Sequence, residues 1–130
     1  MHVAIVCTAL LGLLLFGLGL AVSMTRGRTG IVAGSSNDPA DSLYRLIRAH
    51  GNTAEYGPML AVLFLLVGAH DPASWLLWTM IVAVVSRYLI AIGMIAGPTL
   101  AKPQPLRFVG AVGTYLTGIL LCIGALMTRA

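Results

Sequence analysis

Residues 42–69 read SLYRLIRAHGNTAEYGPMLAVLFLLVGA, a polar half followed by an apolar half. The apolar half, 56–69, has 14 residues, about 21 Å of helix at 1.5 Å per residue, which cannot cross the ~30 Å of a bilayer core. A membrane helix through it must therefore begin earlier. Between Ser42 and Tyr56 only Gly51 weakens a helix, and tolerably, so the pattern predicts a helix over about 40–69 with Pro39 suited to its first turn. That extension draws Arg48, Asn52 and Glu55 to the membrane edge and into it. Spaced i, i+4 and i+7, the three lie within about 60° of one another on a single face, with Tyr44 and Met59 extending the stripe. A charged stripe cannot face lipid: it costs several kcal/mol unless it pairs, faces the bundle interior or lines a watery cavity. Two readings follow, an Arg48–Glu55 interhelical salt bridge that holds the bundle together, or a binding site.

Working outward, three further apolar stretches cover about 3–24, 73–96 and 107–127. They are set apart by a long polar connection, the turn His70, Asp71, Pro72, and the Pro/Gly-rich 97–105. With 130 residues, 58 % of them hydrophobic and only 9 % charged, and a mean hydropathy of +0.94, a soluble domain is excluded. The expectation is a single all-α domain over 1–130, an integral membrane four-helix bundle. Residues 3–22 carry no charge, exceed the 7–15 residues of a signal-peptide core and follow only Met1 and His2, so they are expected to remain as a helix. Cys7 and Cys122 sit in apolar runs without a nearby CxxC, His or carboxylate; they read as small buried hydrophobes, and no metal site is expected.

The net charge of +4 comes from topology rather than from nucleic-acid binding. Arg26, Arg28, Arg45, Arg48, Arg87, Lys102 and Arg107 lie at or near the first and third connections, and only Arg129 lies on the other side. By the positive-inside rule those two connections are cytoplasmic and both termini lie opposite, with Trp75 and Trp78 at the far interface. Arg48, Asn52, Glu55, Arg87 and Arg107 thus gather at one depth from three helices. Guanidinium forks pair bidentately with carboxylates, so the cluster suits an anionic ligand with several carboxylates, and surplus positive charge in a half-dry site would favour the thiolate of any sulfur ligand held there. Arg87 also reads as a snorkelling residue near a helix end, and Gly110, Thr114 and Gly118 as a small-residue row for close helix packing. His50 points away from the stripe.

In the segment 48–58, Arg48 is followed by Asn52, Glu55, Tyr56 and Pro58 at fixed spacing. This resembles the second-helix signature of the MAPEG family, the membrane-associated proteins in eicosanoid and glutathione metabolism. The order of the other elements, from Arg26 and Arg28 to Leu106, Arg107 and Gly110, is similar as well. The resemblance implies a homotrimer of four-helix subunits with glutathione as cosubstrate in a cleft between neighbours. Arg48, Asn52, Glu55 and Tyr56 would bind the peptide's carboxylates, amino group and backbone, with Arg28 and Arg87 as further anion contacts and His50 reaching a neighbour's ligand. Arg107 would stabilise the glutathione thiolate. The implied activity is that of a glutathione transferase or peroxidase acting in detoxification on a lipophilic electrophile or lipid hydroperoxide dissolved among membrane lipids, in a bacterial inner membrane. Ile90 and Met94 depart from relatives that carry Tyr or His there, and favour the alternative of a non-catalytic scaffold or lipid-binding protein. A drug exporter would need an acid deep in a helix, and Glu55 lies at the edge.

Overall fold

A computed structural model describes residues 1–127 as four helices: α1 (His2–Thr29), α2 (Ser42–Gly68), α3 (Ser74–Ala96) and α4 (Pro105–Met127). The described residues contain no strand. Arg129, the basic residue assigned to the opposite side, lies outside the described residues. α1, α3 and α4 are each long and apolar enough to cross a membrane. α2 has the length, 27 residues, but its first half carries Arg45, Arg48 and Glu55. The outer surface is correspondingly greasy, with Phe16 77 % and Phe108 71 % exposed.

The ends of the helices follow local chemistry more than hydropathy. α1 continues five residues past its expected end at 24, and in that extension Thr25 and Thr29 return their hydroxyls to the carbonyls of Ala21 and Thr25, both at 2.9 Å. It stops at Gly30, whose φ of 71° is a left-handed cap that other residues adopt at a cost. Arg26 and Arg28 therefore sit in the last turn, where the helix's negative end favours cations. Arg26 Nη1 reaches on to the carbonyls of Ile31 and Gly34, which folds the first connection back on the helix.

α2 begins at Ser42 rather than at about 40, since the Asp41 carboxylate accepts the Tyr44 amide at 2.8 Å and caps the helix there. Pro39 consequently lies outside the helix, in a turn built on Asp38. Asp41→Ala should cost about 1 kcal/mol of stability, seen as a lower unfolding temperature in detergent, with the helix content of the folded protein unchanged. α4 starts two residues before the expected 107: Pro105 needs no amide partner in the first turn, and Gln104 Oε1 accepts the Arg107 amide at 3.0 Å.

The bundle is built of two helix pairs, α1 on α2 and α3 on α4, joined by α2 against α3. α1 and α4 do not touch each other. Phe64, Val67, Met80 and Leu121 fill the centre. Glycines allow the closest approaches: a Cβ on Gly68 would fall 2.5 Å from that of Ala4, and one on Gly110 2.6 Å from both Ile90 Cγ1 and the Ser86 carbonyl. The expected row of small residues thus splits, because Gly110 and Thr114 are buried against neighbours whereas Gly118 has open space before it. At one end of the bundle the two long connections are tied together. Leu100 donates its amide to Pro39 O at 3.0 Å, and Arg45 Nη1 binds the carbonyls of Ile95 and Gly97 at the end of α3.

Candidate functional site

Next to those tied connections, α2, α3 and α4 enclose a cavity of about 300 Å³. Its polar wall is made by Asn52 and Tyr56 from α2, Arg87 from α3, Gln104 just before α4, and Arg107 and Tyr115 from the first half of α4. Helical spacing explains the grouping. Asn52 and Tyr56 are one turn apart, and Arg107, Ala111, Thr114 and Tyr115 follow the i, i+4, i+7, i+8 pattern of one face.

Arg87 is the buried centre of the arrangement, with 1 % of its surface exposed. It is not a snorkelling side chain. Its Nη2 donates to Asn52 O at 2.9 Å and to Asn52 Oδ1 at 2.6 Å, and its Cζ stands 5.0 Å over the centre of the Tyr56 ring. The ring face attracts the cation but does not neutralise it. Nε and Nη1 have no partner among the described residues, and no carboxylate lies within ion-pair distance. A buried cation that lacks a counter-charge carries an unrelieved desolvation cost, which a neighbouring anion would offset.

Arg107 lines the same cavity from α4. Its Nη1 donates to Leu100 O at 3.1 Å and Lys102 O at 3.3 Å, which fixes the guanidinium against the last connection. Gly93 makes this possible: a Cβ there would stand 2.5 Å from Gln104 Oε1 and 3.0 Å from the Arg107 amide. The remaining walls, Ile90, Met94 and Phe108 among them, are apolar. One pocket therefore joins two cations, two amides, two phenols and a hydrocarbon surface.

Of the residues singled out in the sequence, Asn52, Tyr56, Arg87 and Arg107 come together here. Four do not. Arg48 and Arg28 are exposed, the latter in the last turn of α1. Glu55 faces a second, apolar groove of about 600 Å³ between α2 and α4. His50 lies in a recess against α1, close to Gly19. No Arg48–Glu55 bridge forms, and among the described residues no ion pair does. Cys7 is buried as expected, but Cys122 is exposed on α4, where it lines the apolar groove between α2 and α4 instead of packing into the core. Among the described residues no three His, Cys, Asp or Glu side chains are placed to hold a metal ion.

Gln104 and Tyr115 escaped sequence reasoning. Gln104 stands between Pro103 and Pro105, a helix-entry pattern, and Tyr115 lies two turns beyond Arg107; both signals were present without pointing to a cavity.

Among curated proteins no match is found. A family model described as the MAPEG family matches residues 4–127. The match takes in all four helices and both arginine-bearing walls of the cavity, and the chain belongs to the MAPEG family, which includes glutathione transferases and peroxidases as well as non-catalytic members.

Proposed function

We propose that this protein is a membrane-embedded glutathione-dependent transferase or peroxidase. The observation that carries the reading is Arg87, a buried guanidinium without a carboxylate partner, lining one cavity together with Arg107. Glutathione carries two carboxylates and a thiol. Arg87 and Asn52 would hold a carboxylate through charge-assisted hydrogen bonds, Tyr56 would pack along the peptide, and Arg107 would stabilise the thiolate. The thiolate then attacks an electrophilic carbon or a hydroperoxide oxygen of a lipophilic substrate, for which the apolar groove beside the cavity supplies the surface. The protein contributes positioning and electrostatics while the cosubstrate contributes the nucleophile.

Arg28, Arg48, His50 and Glu55, which lie outside their own subunit's cavity, would serve the ligand of a neighbour in a homotrimer. Glutathione would enter from the cytoplasmic side, where the first and third connections lie, in a bacterial inner membrane. A second reading, a non-catalytic lipid-binding scaffold, is favoured by Ile90 and Met94, which put hydrocarbon where relatives of this kind carry ring hydroxyls or imidazoles.

The test is a glutathione titration of detergent-purified protein at pH 7, following thiolate absorbance in the ultraviolet, with Arg87→Met alongside. The wild-type protein should give a saturable thiolate signal. Losing charged hydrogen bonds worth about 1.5–3 kcal/mol, Arg87→Met should bind about 10- to 150-fold more weakly. Its unfolding temperature should not fall, because an apolar side chain of similar length removes a buried, unneutralised charge. No saturable signal from the wild type would put the scaffold reading first.

A further inference from the structure

The polar cavity and the apolar groove are neighbours with a common border. Three residues line both: Tyr56, Thr114 and Tyr115. Two of them are already engaged. Thr114 is buried and donates its hydroxyl to Gly110 O at 2.8 Å, and the Tyr56 ring lies under the Arg87 guanidinium. Tyr115 differs: 54 % of its surface is exposed, and its hydroxyl has one partner, the Tyr56 hydroxyl, at a long 3.4 Å. The two rings are tilted by 59° with centres 5.9 Å apart, and since either hydroxyl can donate across the long contact between them, Tyr115 can accept from Tyr56 and keep its own proton for another acceptor. A phenol with a proton to give thus stands on the border between the polar cavity and the apolar groove.

We propose that Tyr115 is a catalytic proton donor, and that the substrates it favours are α,β-unsaturated carbonyl compounds carried on an alkyl chain. The inference rests on the glutathione reading of the cavity. The sulfur of the thiolate forms a bond to the β-carbon, the carbon–carbon π pair shifts to join the α-carbon to the carbonyl carbon, and the carbonyl π pair moves onto the carbonyl oxygen. That oxygen takes the proton from Tyr115, giving an enol that tautomerises to the carbonyl product through water, and the phenolate recovers a proton from water. Stabilising an oxygen only as its charge develops lowers the barrier without tightening the ground state. The groove fits the rest of such a molecule. From Tyr115 it runs along α4 to Leu126, 11 residues on, or about 16 Å at 1.5 Å per residue. Its walls there are Ile119, Cys122, Ile123 and Leu126 from α4.

The experiment compares full-length wild type and Tyr115→Phe in detergent with two substrates, trans-2-nonenal and 1-chloro-2,4-dinitrobenzene. The aryl halide expels chloride with its own electron pair and needs no proton on oxygen. The ratio of kcat/KM for nonenal to that for the aryl halide should fall at least tenfold in Tyr115→Phe, while the glutathione thiolate absorbance persists. A ratio unchanged with the thiolate signal intact overturns the assignment, leaving Tyr115 as cavity wall. Absence of thiolate absorbance in the wild type itself overturns the glutathione reading, and this inference with it.

Discussion

Arg107→Ala should lower kcat/KM for thiolate transfer at pH 7 by about two to three orders of magnitude, the usual size of losing a fixed donor aimed at developing or resident negative charge. The guanidinium is in place before any ligand arrives, since Nη1 is held by the carbonyls of Leu100 and Lys102 and the Arg107 amide by Gln104. A cation held at a thiol favours the charged form, so the wild-type protein should keep its activity well below the ~8.5 at which a free thiol ionises. Without Arg107 the same ionisation should move up toward that value, and raising the pH should restore part of the lost rate. A pH–rate profile with an aryl halide measures this. A loss of equal size at every pH would instead make Arg107 an organiser of the connection it caps, with no hold on the sulfur.

The second large effect concerns the fold. Gly110→Val should destabilise the protein by about 3 kcal/mol. The first added carbon would stand 2.6 Å from the Ser86 carbonyl and 2.9 Å from the Ile90 amide, both backbone atoms of α3, which yield only if the helix moves. Moving α3 also displaces Arg87, one residue from Ser86, so glutathione binding should fall together with stability. Gly118→Ala is the control. No atom lies within 4 Å of a Cβ at that position, and alanine costs less than glycine in a helix. Thermal unfolding in detergent that found the two variants alike would refute the close α3/α4 contact.

The four helices were legible because apolar length alone separates a membrane span from a surface helix, and the 56–69 arithmetic forced α2 back across its polar residues. Its start was misplaced by two residues because Asp41, a side-chain cap, outweighed Pro39, and hydropathy does not register caps. Site geometry was half legible. The Arg48, Asn52, Glu55 spacing placed three polar residues on one face of α2, but periodicity gives angles around one axis and says nothing of what stands opposite. Asn52 was drawn inward by Arg87, while Arg48 and Glu55 stayed outside the subunit's own cavity. Burial of Arg87 is a tertiary fact, created by the Tyr56 ring and two Asn52 oxygens. Tyr115 likewise means little in the sequence of α4, and acquires its position from two cavities that only the packed bundle contains.

The tie between the two long connections reaches further than the loops themselves. Arg45 grips the carbonyl end of α3, and Leu100 is bonded to Pro39, so the segment that carries Leu100 and Lys102, and through them Arg107, cannot slide along the bundle axis. Depth in a bilayer is also a dielectric coordinate. Two unit charges 4 Å apart attract by about 1 kcal/mol in water and about 4 kcal/mol at an effective dielectric of 20. By anchoring one cation at one level, the start of α2 sets the screening felt by any thiol held beside it. Substitutions within 39–45 therefore offer a way to tune the acidity of a sulfur that they never touch.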